Sequence, residues 1–351
     1  MQLKAPGIEP QKGIRQRNII LPVLVLIFLA ALVIVFDWKE VHPIFLQADW
    51  KFTVIALLST AVSYFVLSAS YALVNRLFGI RLGWRALLGI GFVSATMNNM
   101  VTFLGFAGHS LRVVLSTRHD IEPGKIMAAS IFHALMHNLM MFILPAAGLT
   151  WLVATRAISG EQALVLSVTA GILIILLVGV TVVMFYTPLR SPLLDIVGKI
   201  WHGVVHRDIS GFLHDLDNAM SDALKAIQSH RLGLVLALVL MAADWVLGVV
   251  TLWFCFNALG SVPDFGVMLT GYSVGILAGN IVMLPGGLGV QEAAMAGMYA
   301  LMGVSFGEAA LAAILFRAVY EFVPFFVSLL FYQPLIRGAN GSRNNSTTGI
   351  V

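Results

Sequence analysis

The sequence predicts an all-α polytopic membrane protein with about six full transmembrane helices plus two re-entrant broken hairpins in an inverted repeat. Composition is the first reason: of 351 residues, 59% are hydrophobic and 11% are charged, and the mean hydropathy is +0.92. A soluble domain is far less apolar. The second reason is a set of apolar runs of spanning length, and the third is a pair of breaks inside apolar sequence.

Six apolar runs are long enough to cross a bilayer, a distance that takes about 20 helical residues. They cover residues 19–36, 52–74, 126–154, 163–185, 232–256 and 307–332. Basic residues such as Arg17 and Arg76 border these runs, and the positive-inside rule assigns such borders to the cytoplasm. We therefore expect a cytoplasmic segment at 1–18, one transmembrane domain at 19–336 and a disordered cytoplasmic tail at 337–351.

The run Pro-Gly-Gly-Leu-Gly-Val-Gln-Glu at 285–292 interrupts the apolar sequence on both sides of it. Proline ends the incoming helix, and Gly286, Gly287 and Gly289 allow the positive φ angles of a tight turn. Non-helical backbone is tolerated at membrane depth only where protein or a water-filled cavity surrounds it, so the break predicts a binding or transport site. The N–H groups of the outgoing helix suit an anion such as a lipid phosphate. Glu292 in its first turn is either only a cap or part of the cavity.

A second break lies in the first half of the chain. Residues 96–108 align with 277–289, and this alignment pairs Asn99 with Asn280. We expect the first broken hairpin to open to the cytoplasm and the second to open to the outside, with the two breaks meeting near the bilayer midplane. Arg112, which follows the first break, is either a phosphate contact or a topology anchor.

Two charged residues lie one helical turn apart inside the last apolar run, Arg317 and Glu321. Charges within a membrane are costly and face the bundle interior or a wet cavity. One interpretation is a salt bridge that only neutralises both side chains. The other is that Arg317 holds the phosphate of a lipid.

Three further polar residues interrupt apolar runs. His133 and His137 share one helix face, and Asp244 has no cation near it in the sequence. They predict either a proton relay or buried, hydrogen-bonded side chains. No third ligand accompanies the histidines, so we expect no metal site.

Glycines at four-residue steps, Gly271, Gly275 and Gly279, predict a face for close helix packing. The first two also fit the nucleophile motif Gly-x-Ser-x-Gly, but that motif needs a strand-to-helix turn. We therefore do not expect a hydrolase.

The long polar stretch at 187–231 predicts a cytoplasmic amphipathic segment. Its apolar residues recur at three- and four-residue steps: Ile209, Phe212, Leu213, Leu216, Met220, Leu224 and Ile227. The segment either lies on the membrane surface or packs on its neighbours.

The run from Asn280 to Glu292, followed by Gly303-Val304-Ser305, the alanine-rich 309–313 and Arg317, resembles the lysylphosphatidylglycerol synthase transmembrane-region family. These are the flippase-like membrane proteins also called UPF0104. The resemblance implies a role in moving or handling polar lipids at the bacterial inner (plasma) membrane. The first half departs from the pattern, since Leu104 replaces its usual proline and His133 its usual arginine.

The function we expect is that of a flippase-like protein that translocates or binds a polar phospho- or glycolipid. Two alternatives stay open: a non-transporting subunit that organises a lipid- or glycan-synthesis complex, and an intramembrane lipid-modifying enzyme that uses His133, Asp244 or Glu292. No cofactor is expected, because the break lacks the Gly-Lys-Ser/Thr of an ATP-binding loop. The expected partners are membrane lipids, with a second copy of the chain or a lipid-synthesis enzyme as further candidates. Nucleic acid is not expected, because the net charge of +4 is not gathered into a basic run.

The topology can be tested with single cysteines in a Cys255→Ala background. Thr117→Cys and Ser221→Cys should both be shielded from an impermeant thiol reagent added outside intact cells, because both positions are predicted to be cytoplasmic. Ser261→Cys, in a loop predicted to be external, should be labelled and serves as the control. Labelling of the first two positions would contradict the inverted repeat, and labelling of Thr117→Cys alone would remove only the first hairpin.

Overall fold

The structure is a computed structural model that describes residues 46–101, 123–155, 160–205, 230–282 and 285–331. It also describes isolated residues within 102–122 and 206–229, namely Leu111, Arg112, Leu115, Ser116, Ile121, Ser210, Gly211, Leu213, His214, Asp217, Asn218, Met220, Ser221 and Leu224. The predicted segments 1–18, 19–36 and 337–351 lie outside the described residues, as does the glycine turn of the first break.

The described residues form nine α-helices and no strand. In chain order the helices are α1 Trp50–Leu77, α2 Trp84–Val101, α3 Pro123–Thr155, α4 Glu161–Phe185, α5 Thr187–Val205, α6 Arg231–Ala258, α7 Phe265–Val282, α8 Val290–Leu301 and α9 Phe306–Phe331. A 3₁₀ turn at Pro285–Gly287 joins α7 to α8, and α9 contains a π-helical turn at Ala318–Phe322. The all-α prediction is confirmed.

Four helices are long and apolar enough to cross a membrane: α1, α3 over Lys125–Thr155, α6 and α9. They confirm four of the six predicted spans. The span predicted at 163–185 corresponds to α4. This helix is a candidate span only as a pair with α5, and the two parts of the pair, Ser167–Val183 and Thr187–Gly203, are bent by 96° relative to each other. The total of six and the re-entrant repeat stay predictions.

The outer face of α4 carries large apolar side chains that no part of the described chain covers. Leu164, Val168 and Ile175 are 64%, 52% and 71% exposed. Such a surface is unfavourable in water and suits contact with lipid chains. The face therefore supports placement of the helices in a membrane.

Helices α1 and α6 pack along one another at the centre of the structure. Ser59 Oγ donates to the Leu247 carbonyl at 3.3 Å and accepts from Thr251 Oγ1 at 3.0 Å. One turn further along α1, Ser63 Oγ donates to the Asp244 carbonyl at 3.3 Å. Small polar residues let two helices approach closely and bond to each other inside a membrane, so this seam fixes the antiparallel pair.

The break region is built as an antiparallel hairpin of α7 and α8. A Cβ atom at Gly271 would overlap Tyr299, one at Gly275 would overlap Met295, and one at Gly279 would lie 3.1 Å from Gln291 Cβ. The residue numbers of these partners on α8 decrease as those of the glycines on α7 increase, so the two helices run antiparallel. The predicted glycine packing face is thereby confirmed.

The segment that follows α5 packs on the helices where it is described. Met220 is buried in one cluster with Phe78, Ile126, Phe132 and Ala237, which favours the packed alternative over a helix lying free on the membrane surface. A side-chain link reinforces the contact, with Arg190 Nε donating to Asp217 Oδ1 at 2.5 Å.

Asp217 belongs to this packed segment, outside the candidate spans. Desolvation acts to raise the pKa of Asp217, but hydrogen bonds from Ser191 and Arg190 and the charge of Arg190 outweigh it. The pKa of Asp217 is accordingly held below its ordinary value, so the carboxylate stays charged at neutral pH.

The hairpin packing predicts opposite effects for two glycines. Gly275→Ala should destabilise the protein by ~1–3 kcal/mol, because its methyl group collides with Met295. Gly297→Ala, on α8 with open space around its Cβ position, should stabilise by ~0.5–1 kcal/mol through helix propensity. Unfolding midpoints of the two variants in detergent provide the measurement, and equal midpoints would contradict the packing.

Candidate functional site

The turn between α7 and α8 is made by three glycines in the left-handed region. Gly286, Gly287 and Gly289 have φ of 62°, 61° and 82°. Side chains rarely adopt such angles, and space is also short, since a Cβ at Gly287 would lie 3.1 Å from Gly279 Cα. The predicted tight turn is confirmed, and glycine is required for both reasons.

Arg317 on α9 forms a hydrogen bond with the backbone of this turn. Its Nη1 donates to the Gly286 carbonyl at 2.6 Å and to Glu321 Oε2 at 2.6 Å, and its Nε contacts Glu292 Oε1. The guanidinium is buried, with only 1% of the side chain exposed. We call Arg317, Glu292, Glu321, Gln291 and the Gly286 carbonyl the arginine cluster.

Three acceptors offset the cost of burying this guanidinium. A buried charge is tolerated when it is paired and hydrogen-bonded, and Glu321 is itself supported by Gln291 Nε2, 3.4 Å from its Oε1. The predicted i,i+4 salt bridge of Arg317 with Glu321 is confirmed. One nitrogen, Arg317 Nη2, has no hydrogen-bond partner in the described part of the chain.

Glu292 caps the N-terminus of α8. Its Oε2 accepts from the Gly289 N–H at 2.8 Å, so the amide of the N-cap residue bonds to a carboxylate in the first turn of the helix. A carboxylate at this position also complements the helix dipole. The simpler interpretation of Glu292 as a cap is confirmed, and its contact with Arg317 adds a second role.

The turn touches the end of α2, where the first break begins. A Cβ on Gly286 would lie 3.1 Å from the Asn99 carbonyl oxygen and 3.3 Å from that of Met100. The Asn99 side chain donates through Nδ2 to Tyr64 OH at 2.9 Å. The C-terminal end of α2 therefore adjoins the second break.

Arg112 lies on the other side of α2. Its Nε donates to Ser94 Oγ at 2.9 Å, and its guanidinium carbon stands 4.4 Å from the centroid of the Tyr71 ring. The side chain is buried, yet Nη1 has no partner among the described residues. Arg112 is thus a buried cation with a donor still available.

A second polar cluster crosses α1, α3, α6 and α9. His137 Nε2 lies 2.8 Å from Asp244 Oδ2, and Ser63 Oγ donates to Asp244 Oδ1 at 2.5 Å. Ser63 Oγ also lies 2.9 Å from Tyr320 OH. His133 stacks parallel to His137 with ring centroids 6.2 Å apart. The structure brings the three residues of the predicted relay together, and with these partners they form the histidine cluster.

Like Arg112, the predicted site residue Asn280 lies apart from both clusters. Asn280 is exposed on α7, and its Nδ2 donates to the Ile276 carbonyl of the same helix at 2.9 Å. The sequence analysis missed other members of the site, above all Ser63, Tyr64, Gln291 and Tyr320. The position of Tyr320 beside Glu321 was a usable signal, whereas serines and tyrosines in apolar helices are too common to single out.

An apolar groove of about 500 Å³ runs between α1, α2 and α9. Its walls include Leu57, Ala61, Phe65, Leu88, Phe92, Val323 and Phe331, and Tyr64 and Arg85 also line it. Phe65 and Phe331 are 62% and 50% exposed, so the groove opens sideways at the surface of the helix bundle. Between Leu57 and Ser68 it follows α1 for about 16 Å.

The two clusters offer no evident metal centre. Within the described residues, no three His, Cys, Asp or Glu side chains come together as ligands. Acidic groups of the arginine cluster are already engaged by Arg317. The arginine cluster is thus an ion-paired brace, whereas the histidine cluster pairs an imidazole with a carboxylate.

Comparison with known proteins gives a family and two relatives. A family model described as "Lysylphosphatidylglycerol synthase TM region" matches residues 19–328. Two proteins of Methanothermobacter thermautotrophicus, each named "UPF0104 membrane protein", are also similar. One is 25% identical over 243 residues, or 69% of this chain and 61% of that protein. The other is 20% identical over 315 residues, or 87% of this chain and 91% of that protein.

The arginine cluster predicts a specific pattern of stability. Arg317→Met alone should cost ~3–5 kcal/mol, because it leaves two carboxylates buried without their cation. The triple variant Arg317→Met, Glu321→Leu, Glu292→Gln should recover most of that loss, since no unpaired charge remains and the amide at position 292 still offers an oxygen to the Gly289 N–H. Chemical unfolding in detergent measures both, with the exposed Arg81→Met as the matched control. A triple variant no more stable than the single one would refute the brace.

Proposed function

The chain belongs to the lysylphosphatidylglycerol synthase transmembrane-region family, and from that premise we propose that it binds a polar lipid and moves it between the two leaflets. The observation that carries the proposal is a groove for an acyl chain next to buried polar groups. The matched region spans only 61% of the length of one relative, and the names of both relatives state no substrate.

The groove has the character of an acyl-chain site. Its lining is almost entirely apolar, and it opens sideways where the four spanning helices would meet lipid. Arg85, exposed at the start of α2, stands at one end of it. A phospholipid can place its chain along α1 with its phosphate at this arginine, which presents a planar fork suited to phosphate oxygens.

Tyr64 connects the groove with the interior. Its ring lines the groove, and its hydroxyl accepts from Asn99 at the end of α2. The turn at Gly286 adjoins Asn99 directly. A headgroup that leaves the groove at Tyr64 therefore meets polar backbone instead of hydrocarbon, which lowers the barrier to crossing.

Two buried arginines lie close to α2, Arg112 against Ser94 and Arg317 at the turn that adjoins Asn99. Along the axis of α2, Ser94 and Asn99 are about 7.5 Å apart. Each arginine has one nitrogen without a partner among the described residues. Unused donors at successive levels fit an anionic or zwitterionic headgroup that passes from one to the next.

In this proposal the protein sits in the bacterial inner (plasma) membrane with both termini in the cytoplasm, and it is a transporter and not an enzyme. Its partners are the membrane lipids themselves, with self-association or a lipid-synthesis enzyme as further partners. The scaffold and the lipid-modifying enzyme are outcomes of the test. A scaffold would move no lipid, and an enzyme would change the mass of a lipid and not its leaflet.

Blocking the groove provides the test. Ala61→Trp places an indole in the groove from an exposed position on α1, whereas Val62→Trp places one on the same helix outside the groove. In vesicles with fluorescent phosphatidylglycerol, Ala61→Trp should slow exchange between leaflets about tenfold, as a loss of ~1.4 kcal/mol of binding free energy would give. Val62→Trp should leave the rate unchanged.

The assay reads the fluorescence that remains after a membrane-impermeant quencher destroys the outer-leaflet label. Equal rates for the two tryptophan variants would contradict the groove as a lipid path. Absence of exchange with the wild-type protein would favour the scaffold. Mass spectrometry of the same vesicles identifies an enzyme by the appearance of a new lipid species.

A further inference from the structure

The histidine cluster lies at the middle depth of the helix bundle. Ser63, His137, Asp244 and Tyr320 each occupy a position close to the centre of α1, α3, α6 or α9, the four helices of spanning length. With a rise of 1.5 Å per residue, each is about 16 to 27 Å from either end of its helix. An ionisable pair at that depth is costly unless it serves a function.

The pair is held from several sides. Asp244 accepts from Ser63 at 2.5 Å and faces Tyr320 OH at 3.4 Å. Trp245 Nε1 donates to the His137 carbonyl at 3.1 Å, which fixes that part of α3 against α6. The carboxyl side chain of Asp244 is 4% exposed, and that of His137 is 19% exposed. Solvent therefore reaches this pair more readily at the imidazole of His137 than at the buried carboxylate of Asp244.

The charge of this pair depends on a single proton. His137 is the basic residue paired with Asp244 in the described part of the chain. With His137 neutral and Asp244 ionised, the pair carries one negative charge at mid-depth. One proton from water, taken up on the free imidazole nitrogen, converts it to a neutral ion pair. Nothing else need be bound or released.

The other titratable groups around Asp244 do not take up that proton in place of His137. Three tyrosines interact electrostatically with Asp244: Tyr64 on α1, Tyr272 on α7 and Tyr320 on α9. Phenols are neutral at physiological pH. Glu321, the nearest further acid on α9, is ion-paired with Arg317. The imidazole of His137 is thus the proton acceptor that lies in direct contact with Asp244.

A second imidazole extends the pair along α3. His133 lies one turn from His137 towards the predicted cytoplasmic end, and its Nε2 lies 2.9 Å from Ser70 Oγ. The two rings are parallel, with their centroids 6.2 Å apart. His133 and Ser70 therefore mark a route for a proton from the cytoplasmic half of the bundle to the pair.

The pair also adjoins the lipid groove. Tyr320 contacts Ser63 at 2.9 Å, and its ring centroid lies 5.5 Å from that of Tyr64, which lines the groove. We propose that the His137–Asp244 pair is a proton-binding site that couples lipid movement through the neighbouring groove to the proton gradient. This inference rests on the proposed lipid function and adds its energy source.

Proton binding can be measured without any lipid movement. The Trp245 ring lies 5.4 Å from the His137 ring, and an imidazolium quenches a nearby indole more than a neutral imidazole does. The fluorescence difference between wild type and Trp245→Phe should fall as pH is lowered from about 8 to 5. The fall should vanish in His137→Gln and persist in His202→Gln, a control at an exposed histidine of α5.

Coupling is measured in vesicles with fluorescent phosphatidylglycerol under an imposed pH gradient, with the membrane potential clamped. The gradient should shift the steady distribution of the label between leaflets, and reversal of the gradient should reverse the shift. Asp244→Asn and His137→Gln should both lose this response, because neither retains the imidazole–carboxylate pair. His202→Gln should respond as the wild type does.

Each result has a distinct meaning. A Trp245 signal that does not change with pH overturns the proton site whatever the lipid does. A signal that titrates, with lipid exchange that ignores the gradient, overturns the coupling and leaves the proposed lipid function intact. No lipid exchange under any condition overturns the proposed function and the coupling with it. If Asp244→Asn does not fold, His137→Gln decides the question alone.

Discussion

The bond from Arg317 to the Gly286 carbonyl is the interaction on which the rest of the interior depends. A helix broken inside a membrane leaves backbone carbonyls without partners, and each costs several kcal/mol in hydrocarbon. Arginine supplies a donor long enough to reach the turn, but it brings a charge. Glu292 and Glu321 contact that charge from α8 and α9. The turn, its cap and the helix beneath it are therefore one electrostatic unit.

The π-helical turn in α9 lets a single helix serve both polar clusters. Tyr320 and Glu321 are neighbours in this turn, yet Tyr320 reaches Ser63 on α1 while Glu321 reaches Gln291 on α8. Pro324 follows and cannot donate to the Tyr320 carbonyl, which favours the wider turn. A shift of α9 would change both clusters together, because Tyr320 and Glu321 lie in the same turn.

Much of the architecture could be predicted because it follows from solvent and geometry. Apolar runs gave the spans α1, α3, α6 and α9, and glycine spacing gave the α7–α8 packing face. The long-range pairs could not be predicted. Asp244 contacts His137 only because α3 and α6 are neighbours. Glu292 contacts Arg317 only once the α7–α8 hairpin has folded. Sequence distance carries no information about such contacts, whereas the cost of an unpaired buried charge told us that partners must exist.

The two clusters differ in what their charges can do. A guanidinium keeps its proton in any protein, so Arg317 has a constant charge and is fitted to hold a shape. An imidazole gives up its proton near neutral pH, so the charge of the histidine cluster depends on its surroundings. The first cluster lies at the backbone break, and the second lies beside the groove. A structure that needed only stability would have no use for the second, because apolar side chains would fill the same space at less cost. In the proposed function, a titratable pair beside the groove is therefore the feature expected of a transporter and not of a scaffold.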